Sequence, residues 1–468
     1  MNNKNLIVII MAAGKGTRMK STLPKVLHPV AGKTLLEHVL INTSKINPYK
    51  LFIIVGYKAD SVKKVILENK ENIDLKKLEI VEQIEQLGTG HAIMQVEPLL
   101  DNFEGDVIIV SGDVPLLTSK TLLNLYELHI KNKSAVTILS TKLENPTSYG
   151  RIIRDNNNNV IKIVEEKDAT LEEKFIKEIN SGTYCFNWLV LKQALKQINN
   201  NNAQKEYYLT DTIHIIKEKN QTILAHCTDN PVEVLGVNDR VELANISNII
   251  YKRINEDLMR SGVSIIDPNS TYIDYNIEIG KDTIIYPQTF LMGNTKIGSN
   301  CIIGPCCQLT NTVVGDNTKV IFSVTNSCKI GSNTQIGPYT QIREGSFIDD
   351  NCRIGNFVEL KKANLKKGVK ASHLSYLGDV EIGSDSNIGA GTITCNYDGK
   401  NKHKTLIGER VFVGSNSSLV APVILENNSY IGSGSVITKD VPEGNLAIAR
   451  GKQRNIEGWV NKKFKKYE

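Results

Sequence analysis

A chain of 468 residues exceeds what one ordinary hydrophobic core serves, so two or three domains are expected. Its 41% hydrophobic and 23% charged residues are the make-up of a folded, soluble protein. A formal net charge of +6 without a long basic stripe excludes nucleic acid as a partner, and the tail lysines Lys462, Lys463, Lys465 and Lys466 read as a solvated end.

The eight cysteines are scattered, with no C-x-x-C pair. This argues against a zinc site or a disulfide framework and for a reducing compartment. Adjacent Cys306 and Cys307 would point to opposite faces if they lay in a strand. The apolar run Leu6–Ala13 is too short to span a bilayer and follows no charged leader, so a cytoplasmic protein without membrane insertion is expected.

In chain order, the apolar runs Leu6–Met11, Leu51–Val55 and Val107–Val110 are continuous rather than alternating and predict buried strands. Helical stretches lie between them, at Leu35–Ser44, Ser61–Glu68 and Lys120–Ile130. Such alternation implies a mostly parallel sheet covered on both faces. Thr210 or Asp211 can cap a following helix, Thr212–Lys219. The spacing of Val241, Ala244, Ile249, Ile254 and Leu258 predicts a long connecting helix.

Directly after the first strand comes Met11-Ala-Ala-Gly-Lys-Gly-Thr-Arg-Met19, which matches neither G-x-G-x-x-G nor the Walker pattern. Gly14 and Gly16 still allow backbone N–H groups to approach a phosphate, with a helix N-terminus expected behind them. Arg18 and Lys25 add two cations at the same end, which points to a nucleoside triphosphate. Asp113, in Ser111-Gly-Asp-Val-Pro115, stands at a strand's carboxyl end, where open α/β sheets bind ligands. Beside a triphosphate it reads as a Mg²⁺ ligand, because Mg²⁺ favours one or two carboxylates plus phosphate oxygens.

From Ile279 a repeat takes over. Twelve aliphatic–Gly pairs run from Ile279-Gly280 to Ile431-Gly432, many of them six or eighteen residues apart. Six residues make one face of a triangular coil and three faces make a turn, with the aliphatic residue inward and Gly expected to permit the corner conformation. At about 4.8 Å per coil, eight or nine turns make a prism roughly 40 Å long. The phase breaks between Ile354 and Ile382 and between Ile388 and Ile407 predict inserted loops on one face. Those stretches hold Glu359, Lys361, His373, Tyr376, Asn396 and Tyr397.

The motifs A-A-G-x-G-T-R at 12–18, L-P-K at 23–25, E-Q-L-G-T-G-H-A at 85–92 and G-D-V-P at 112–115 resemble those of nucleotide-sugar pyrophosphorylases. Followed by the repeat and by H-L-x-Y-L-G-D at 373–379, they resemble the bifunctional bacterial N-acetylglucosamine-1-phosphate uridylyltransferase/glucosamine-1-phosphate N-acetyltransferases, from about Leu6 to Trp459. The resemblance implies an α/β protein: a Rossmann-like uridylyltransferase domain over 1–238, a linker helix over 239–260 and a left-handed parallel β-helix acetyltransferase domain over 261–468. It also implies a homotrimer acting on UTP, glucosamine-1-phosphate, N-acetylglucosamine-1-phosphate and acetyl-CoA, with Mg²⁺.

For the first activity it implies that Met11, Ala12, Ala13, Gly14, Gln83, Gly88 and Thr89 hold the uridine end, and that Ser111 and Gly112 line the nucleotide site. Gly150, Glu165 and Asn180 would hold the sugar, Arg18 and Lys25 the phosphates, and Asp113 with Asn238 the Mg²⁺. For the second it implies His373 as general base; Glu359, in the same stretch where the repeat breaks, is expected to orient and polarise it. Arg343 and Lys361 would clamp the sugar phosphate, and Tyr376 and Asn387 the sugar. Ala390, Asn396, Tyr397, Ser415, Ser433 and Arg450 would meet acetyl-CoA. Two positions depart from the family pattern: Met11 where many relatives have Leu, and Ser433 where they often have Ala. The alternative is a single-activity pyrophosphorylase whose β-helix only regulates or trimerises it.

Overall fold

The computed structural model describes residues 3–68 and 76–464; Lys465 and Lys466 of the basic tail lie outside them. The chain divides into two compact units, Met1–Ile250 and Tyr251–Glu468, and the helix Arg240–Arg260 runs through the division. Among the described residues no helix is long and apolar enough to cross a membrane.

The first unit is built on a sheet in the order Ile223–Cys227, Val136–Lys142, Glu178–Asn187, Asp106–Ser111, Asn3–Ala12, Pro48–Val55, Leu78–Glu82. The strand Asn3–Ala12 pairs in parallel with Asp106–Ser111 on one side and Pro48–Val55 on the other, Val8 facing Ile108 and Leu51. Its unbroken apolar run follows from burial on both faces: Leu6, Val8 and Ile10 enter one core, Ile7 and Ile9 the other. The sheet is mixed rather than parallel throughout, because Glu178–Asn187 runs antiparallel to both its neighbours. That strand reads Glu-Ile-Asn-Ser-Gly-Thr-Tyr-Cys-Phe-Asn rather than as a continuous apolar run, so it is not among the strands predicted. That strand also slips register between Asn180 and Tyr184, where Gly182 takes a left-handed φ of 74°.

The helix Leu35–Ser44 has the predicted bounds and starts on a capping box, Glu37 N donating to Thr34 Oγ1 at 3.2 Å and Thr34 N to Glu37 Oε2 at 2.7 Å. The helices Ala59–Glu68 and Ser119–Lys131 begin one or two residues before the predicted starts. Asp211–Glu218 begins after Thr210, but the Thr210 hydroxyl does not cap it and instead donates to Glu165 Oε1 at 3.1 Å.

The second unit is a stack of short parallel strands, each pairing with the one a coil later; the face that includes Glu278–Ile279 and Val423–Leu425 has nine. Most two-residue strands put a polar or exposed residue outward and an aliphatic residue inward, so Ile297, Val314, Ile330, Ile348, Leu365 and Ile382 form an internal column. Two repeat glycines, Gly304 at φ 94° and Gly337 at φ 99°, take the positive-φ conformation predicted, and others serve a different purpose. A Cβ on Gly298 would lie 2.7 Å from Asp316 N, and one on Gly355 would lie 1.9 Å from Ser372 O, so these glycines let successive coils touch. Other left-handed corners fall to asparagines such as Asn300, Asn317, Asn333 and Asn351, which tolerate that conformation.

The first phase break is not a loop. Arg353–Lys361 and Lys370–Gly378 are nine-residue strands paired without interruption, and Arg353 meets Lys370 seventeen residues on, so the coil has lost one residue relative to eighteen. A sequence count cannot separate a shortened coil from an inserted loop. The second break is a real insertion: Asn387 pairs with Phe412, and the excursion between them is closed by an antiparallel bridge from Tyr397 to Lys402. Cys306 and Cys307 do face opposite ways, exposed and buried respectively, but at a corner, where Cys306 has φ 54°.

Two candidate active sites

The first site lies at the carboxyl ends of the central strands. A cleft of about 400 Å³ is lined by Met11, Ala12, Ala13, Gly14, Lys25, Gln83, Gly88, Thr89, Ser111 and Asp113, with Lys15, Gln86 and Glu206. A second of about 240 Å³ shares Met11, Thr89, Ser111 and Asp113 with it and adds Gly150, Glu165, Asn180 and Asn238. Of the nucleotide residues predicted from sequence, Gly112 does not line either cleft; its N–H is bonded to Met11 O at 2.9 Å.

Behind the glycine loop there is no helix of useful length, only the single turn Thr17–Met19. A macrodipole needs several aligned peptides, so phosphate charge must be met by side chains. Gly16, left-handed at φ 59°, also makes room for one of them: a Cβ there would lie 2.5 Å from Lys25 Cβ. In this structure both cations rest on the two candidate metal ligands. The Lys25 ammonium is paired with Asp113 Oδ2, and Arg18 Nη2 donates to Asn238 Oδ1 at 2.8 Å. The Ser111 hydroxyl donates to Asp113 Oδ1 at 2.7 Å. Burial pushes the Asp113 carboxyl pKa up, but Lys25 and the Ser111 hydroxyl outweigh it and hold the group below the usual carboxylate value.

Asp113 and Asn238 are brought together by Val237 N donating to Asp113 O at 3.0 Å. A Cβ at Gly236 would stand 3.8 Å from Asp113 Oδ1, so the smallest residue keeps space beside the carboxylate. One carboxylate and one amide oxygen are hard donors of the kind Mg²⁺ takes alongside phosphate oxygens, and they fit that ion. Among the described residues there is no cluster of three or more His, Cys, Asp or Glu able to hold a metal by themselves.

On the sugar side, burial, reinforced by Asp211, Asp168 and Glu206, raises the pKa of Glu165 against the lowering bond from Thr210. Asn180 Nδ2 donates to the Tyr184 hydroxyl at 2.6 Å, and Gly182 N to Asn180 Oδ1 at 3.1 Å, so the register slip turns this amide into the cleft. Ser148, Tyr149, Ser181, Tyr184 and Thr210 also line this part and were not read from the sequence. Gly182, between Ser181 and Thr183 ahead of Tyr184-Cys-Phe186, was the available signal for the slip.

The second site is on the β-helix. Asn356, His373, Ala390, Ser415 and Ser433 each lie two residues past Ile354, Ala371, Ile388, Val413 and Ile431, which pair in register on successive coils. They therefore stand in one row along one corner, about 4.8 Å apart per coil. Arg450 closes the row, its Nη1 donating to Ser433 O at 2.8 Å.

His373 Nδ1 is 2.7 Å from Asn356 Oδ1. The predicted orienting residue, Glu359, is elsewhere: it faces Tyr376 in the strand pairing and binds Arg343 at 3.0 Å. Sequence proximity suggested Glu359, but the left-handed corner between the two faces puts Asn356 beside the imidazole instead. Lys361 lies opposite Gly378, and Lys402, which sequence reading missed, joins it from the insertion. The neighbouring Lys402, and then Arg343, hold the Lys361 ammonium below the usual lysine value. Arg343, Lys361 and Lys402 face two carboxylates, Glu359 and Asp379, which leaves the cluster with an excess of positive charge. Tyr376 packs over Gly378, where a Cβ would lie 2.5 Å from the tyrosine hydroxyl, and Asn396 Nδ2 is anchored to Asp379 at 2.6 Å. Asn387 is half-buried on the strand leading to the corner row, and Tyr397 is exposed, its hydroxyl donating to Gly399 O at 2.6 Å.

These two halves define a nucleotidyltransferase joined to a hexapeptide-repeat transferase. Residues 7–230 match the family model described as nucleotidyl transferase, and 276–311, 327–362 and 404–439 match that described as bacterial transferase hexapeptide (six repeats). Proteins named Bifunctional protein GlmU are 49% identical in Clostridioides difficile and 50% identical in Thermoanaerobacter pseudethanolicus, each over 99% of this chain and 99% of their own. A solved UDP-glucose pyrophosphorylase complexed with UDP-glucose is similar over 53% of this chain and 98% of its own, at 18% identity and a TM-score of 0.43. The chain belongs to the bifunctional GlmU family. It is an enzyme of two activities, uridylyltransferase and glucosamine-1-phosphate acetyltransferase, which together make UDP-N-acetylglucosamine.

Proposed function

We propose that residues 261–468 acetylate glucosamine-1-phosphate from acetyl-CoA and that residues 1–238 then transfer uridylyl from UTP to the product, the helix over 239–260 joining them. The observation that carries the first half is the corner row: a base at His373 with Ala390, Ser415, Ser433 and Arg450 in line beyond it suits an extended thioester substrate. With Nδ1–H donating to Asn356, Nε2 of His373 keeps its lone pair. It takes a proton from the sugar amine as the amine attacks the thioester carbonyl, and the tetrahedral adduct collapses to the amide. The departing thiolate of coenzyme A receives that proton. A mere trimerising scaffold needs none of these groups.

Arg343, Lys361 and Lys402 bind the sugar phosphate, whose charge relieves their mutual repulsion. Lys361 lies opposite Gly378, five residues or about 16 Å of extended strand from His373, less the corner at Leu374. The amine and phosphate of glucosamine-1-phosphate sit on neighbouring carbons. The base and the cations stand on adjacent faces of one coil, either side of that corner, and the hexapeptide-repeat β-helix is compatible with a homotrimer. The exposed apolar corner of Tyr339, Phe357 and Leu374 beside the row supports the same assembly.

In the first unit the uridine end is held by Met11, Ala12, Ala13, Gly14, Gln83, Gly88 and Thr89, and the sugar by Gly150, Glu165 and Asn180. Lys25 and Arg18 move from Asp113 and Asn238 onto the triphosphate, freeing two oxygen donors for Mg²⁺. The bound ion neutralises phosphate charge. The acceptor phosphate oxygen attacks the α-phosphorus in line and pyrophosphate leaves, so positioning and charge do the work. The setting proposed is the cytoplasm, where these substrates are made. The test is the pair His373→Ala and Asp113→Asn, assayed for thiol release and pyrophosphate release. Each is expected to lose one activity and keep the other; loss of both in a folded protein would overturn the two-site reading.

A further inference from the structure

Glu233 is a buried carboxylate with no part in the chemistry above. It lies in the short turn Pro231–Val234 and is bonded to a helix far along the chain. Its Oε2 accepts from the Thr118 backbone N–H at 3.3 Å, the Thr118 hydroxyl at 3.0 Å and the Thr121 hydroxyl at 2.5 Å. Its Oε1 accepts from Asn230 Nδ2 at 3.2 Å. Thr118 is the N-cap of the helix Ser119–Lys131, so the carboxylate also faces that helix's positive end. Four donors and a helix terminus make the buried charge tolerable.

Thr118 is five residues after Asp113, and Glu233 is five residues before Asn238. The two connecting segments are joined a second time by Val237 N to Asp113 O at 3.0 Å. Between these ties Val114, Leu117, Val234 and Val237 are all buried. Segments held at one point can pivot about it, whereas segments held at two points have a set separation. The first tie is a side-chain carboxylate and the second is backbone, so only the first is open to mutation without breaking the chain's own ladder.

We propose that Glu233 is a positioning residue which sets the separation of Asp113 and Asn238 and thereby the affinity of the nucleotide site for a divalent cation. This rests on the reading of that pair as the cation-holding residues. The full-length protein is tested as Glu233→Ala and Glu233→Gln, with Mn²⁺ binding in the presence of UTP followed by water-proton relaxation. The Mn²⁺ dissociation constant is expected to rise roughly tenfold in Glu233→Ala, the low end for loss of an outer-shell partner, and less in Glu233→Gln, which keeps an acceptor oxygen. Half-saturating Mg²⁺ for pyrophosphate release should rise in parallel while kcat at saturating Mg²⁺ is retained. Thiol release should not change.

Unchanged Mn²⁺ affinity in both variants, whether or not the melting temperature falls, overturns the proposal, since a purely structural tie would act on stability alone. A fall in kcat with unchanged Mg²⁺ dependence also overturns it. If Glu233→Ala unfolds the first unit, Glu233→Gln decides by the same criteria. Asp113→Asn run alongside separates the two levels. If it leaves Mn²⁺ affinity unchanged, the cation-site reading itself fails. If it weakens Mn²⁺ while the Glu233 variants do not, only the positioning role fails.

Discussion

Replacing Asn356 by alanine removes the amide that orients the candidate base. Asn356 stands directly against His373 in the unbroken strand pairing, 2.7 Å from Nδ1, so the loss is of a defined bond rather than of a flexible contact. As the amine gives up its proton the imidazole becomes imidazolium, and the bond to Asn356 becomes charge-assisted. Such bonds are worth about 1.5–3 kcal/mol, which corresponds to a fall in kcat for acetyl transfer of roughly 10- to 150-fold. The KM values should change little, because Asn356 has no bond to the anion-binding cations. The assay is thiol release from acetyl-CoA with glucosamine-1-phosphate, with pyrophosphate release from the other unit as an internal control. Glu359→Gln is the comparison: with its carboxylate on Arg343, it should act on KM for the sugar phosphate. If Glu359→Gln instead takes most of kcat and Asn356→Ala keeps it, Asn356 is not the orienting group.

Three further outcomes are expected. Asp113 is held below its unfolded value of about 3.9, so its pairing stabilises the folded chain above that pH, and this contribution is lost as pH falls through the folded value. Lys25→Met should therefore abolish pyrophosphate release and lower the melting temperature at neutral pH, with the gap to the parent closing below about pH 4; a gap independent of pH refutes it. Gly355→Ala forces a Cβ to 1.9 Å from Ser372 O, so calorimetry should show the β-helix destabilised by about 3 kcal/mol or more, with thiol release lost and pyrophosphate release kept. An unshifted transition would show that the coils do not need that contact. Lys402→Ala should raise KM for glucosamine-1-phosphate roughly tenfold at unchanged kcat, the scale of one charge-assisted bond. An unaltered KM would remove Lys402 from the anion site.

Much of the architecture was legible because it depends on local burial. A strand covered on both faces must be apolar throughout, as Leu6–Ile10 is, and a stacked coil must return an aliphatic residue to its interior at a steady interval, as Ile297, Val314 and Ile330 do. The capping box at Thr34 and Glu37 is likewise set by residues three apart. Motif residues around Gly14 and Asp113 came together in one cleft because each lies just past the end of a strand whose place in the sheet the apolar runs imply, and Lys25 reaches it from the turn Lys25–Leu27.

Other features were decided only by the tertiary structure. The antiparallel course of Glu178–Asn187 brings Asn180 to the cleft, yet its mixed polar and apolar sequence predicted no strand there. Repeat glycines such as Gly298 and Gly355 were recognised but misread, since the need for them comes from the next coil's backbone and not from their own φ. Whether a lost phase means a loop or a shortened coil depends on which residues pair across coils; that pairing put Asn356 rather than Glu359 on His373. Period and burial are properties of a few neighbouring residues and are written in the chain. Strand direction, register and the meeting of distant loops such as those of Asp113 and Asn238 are set by packing across more than a hundred residues, and only the folded structure contains them.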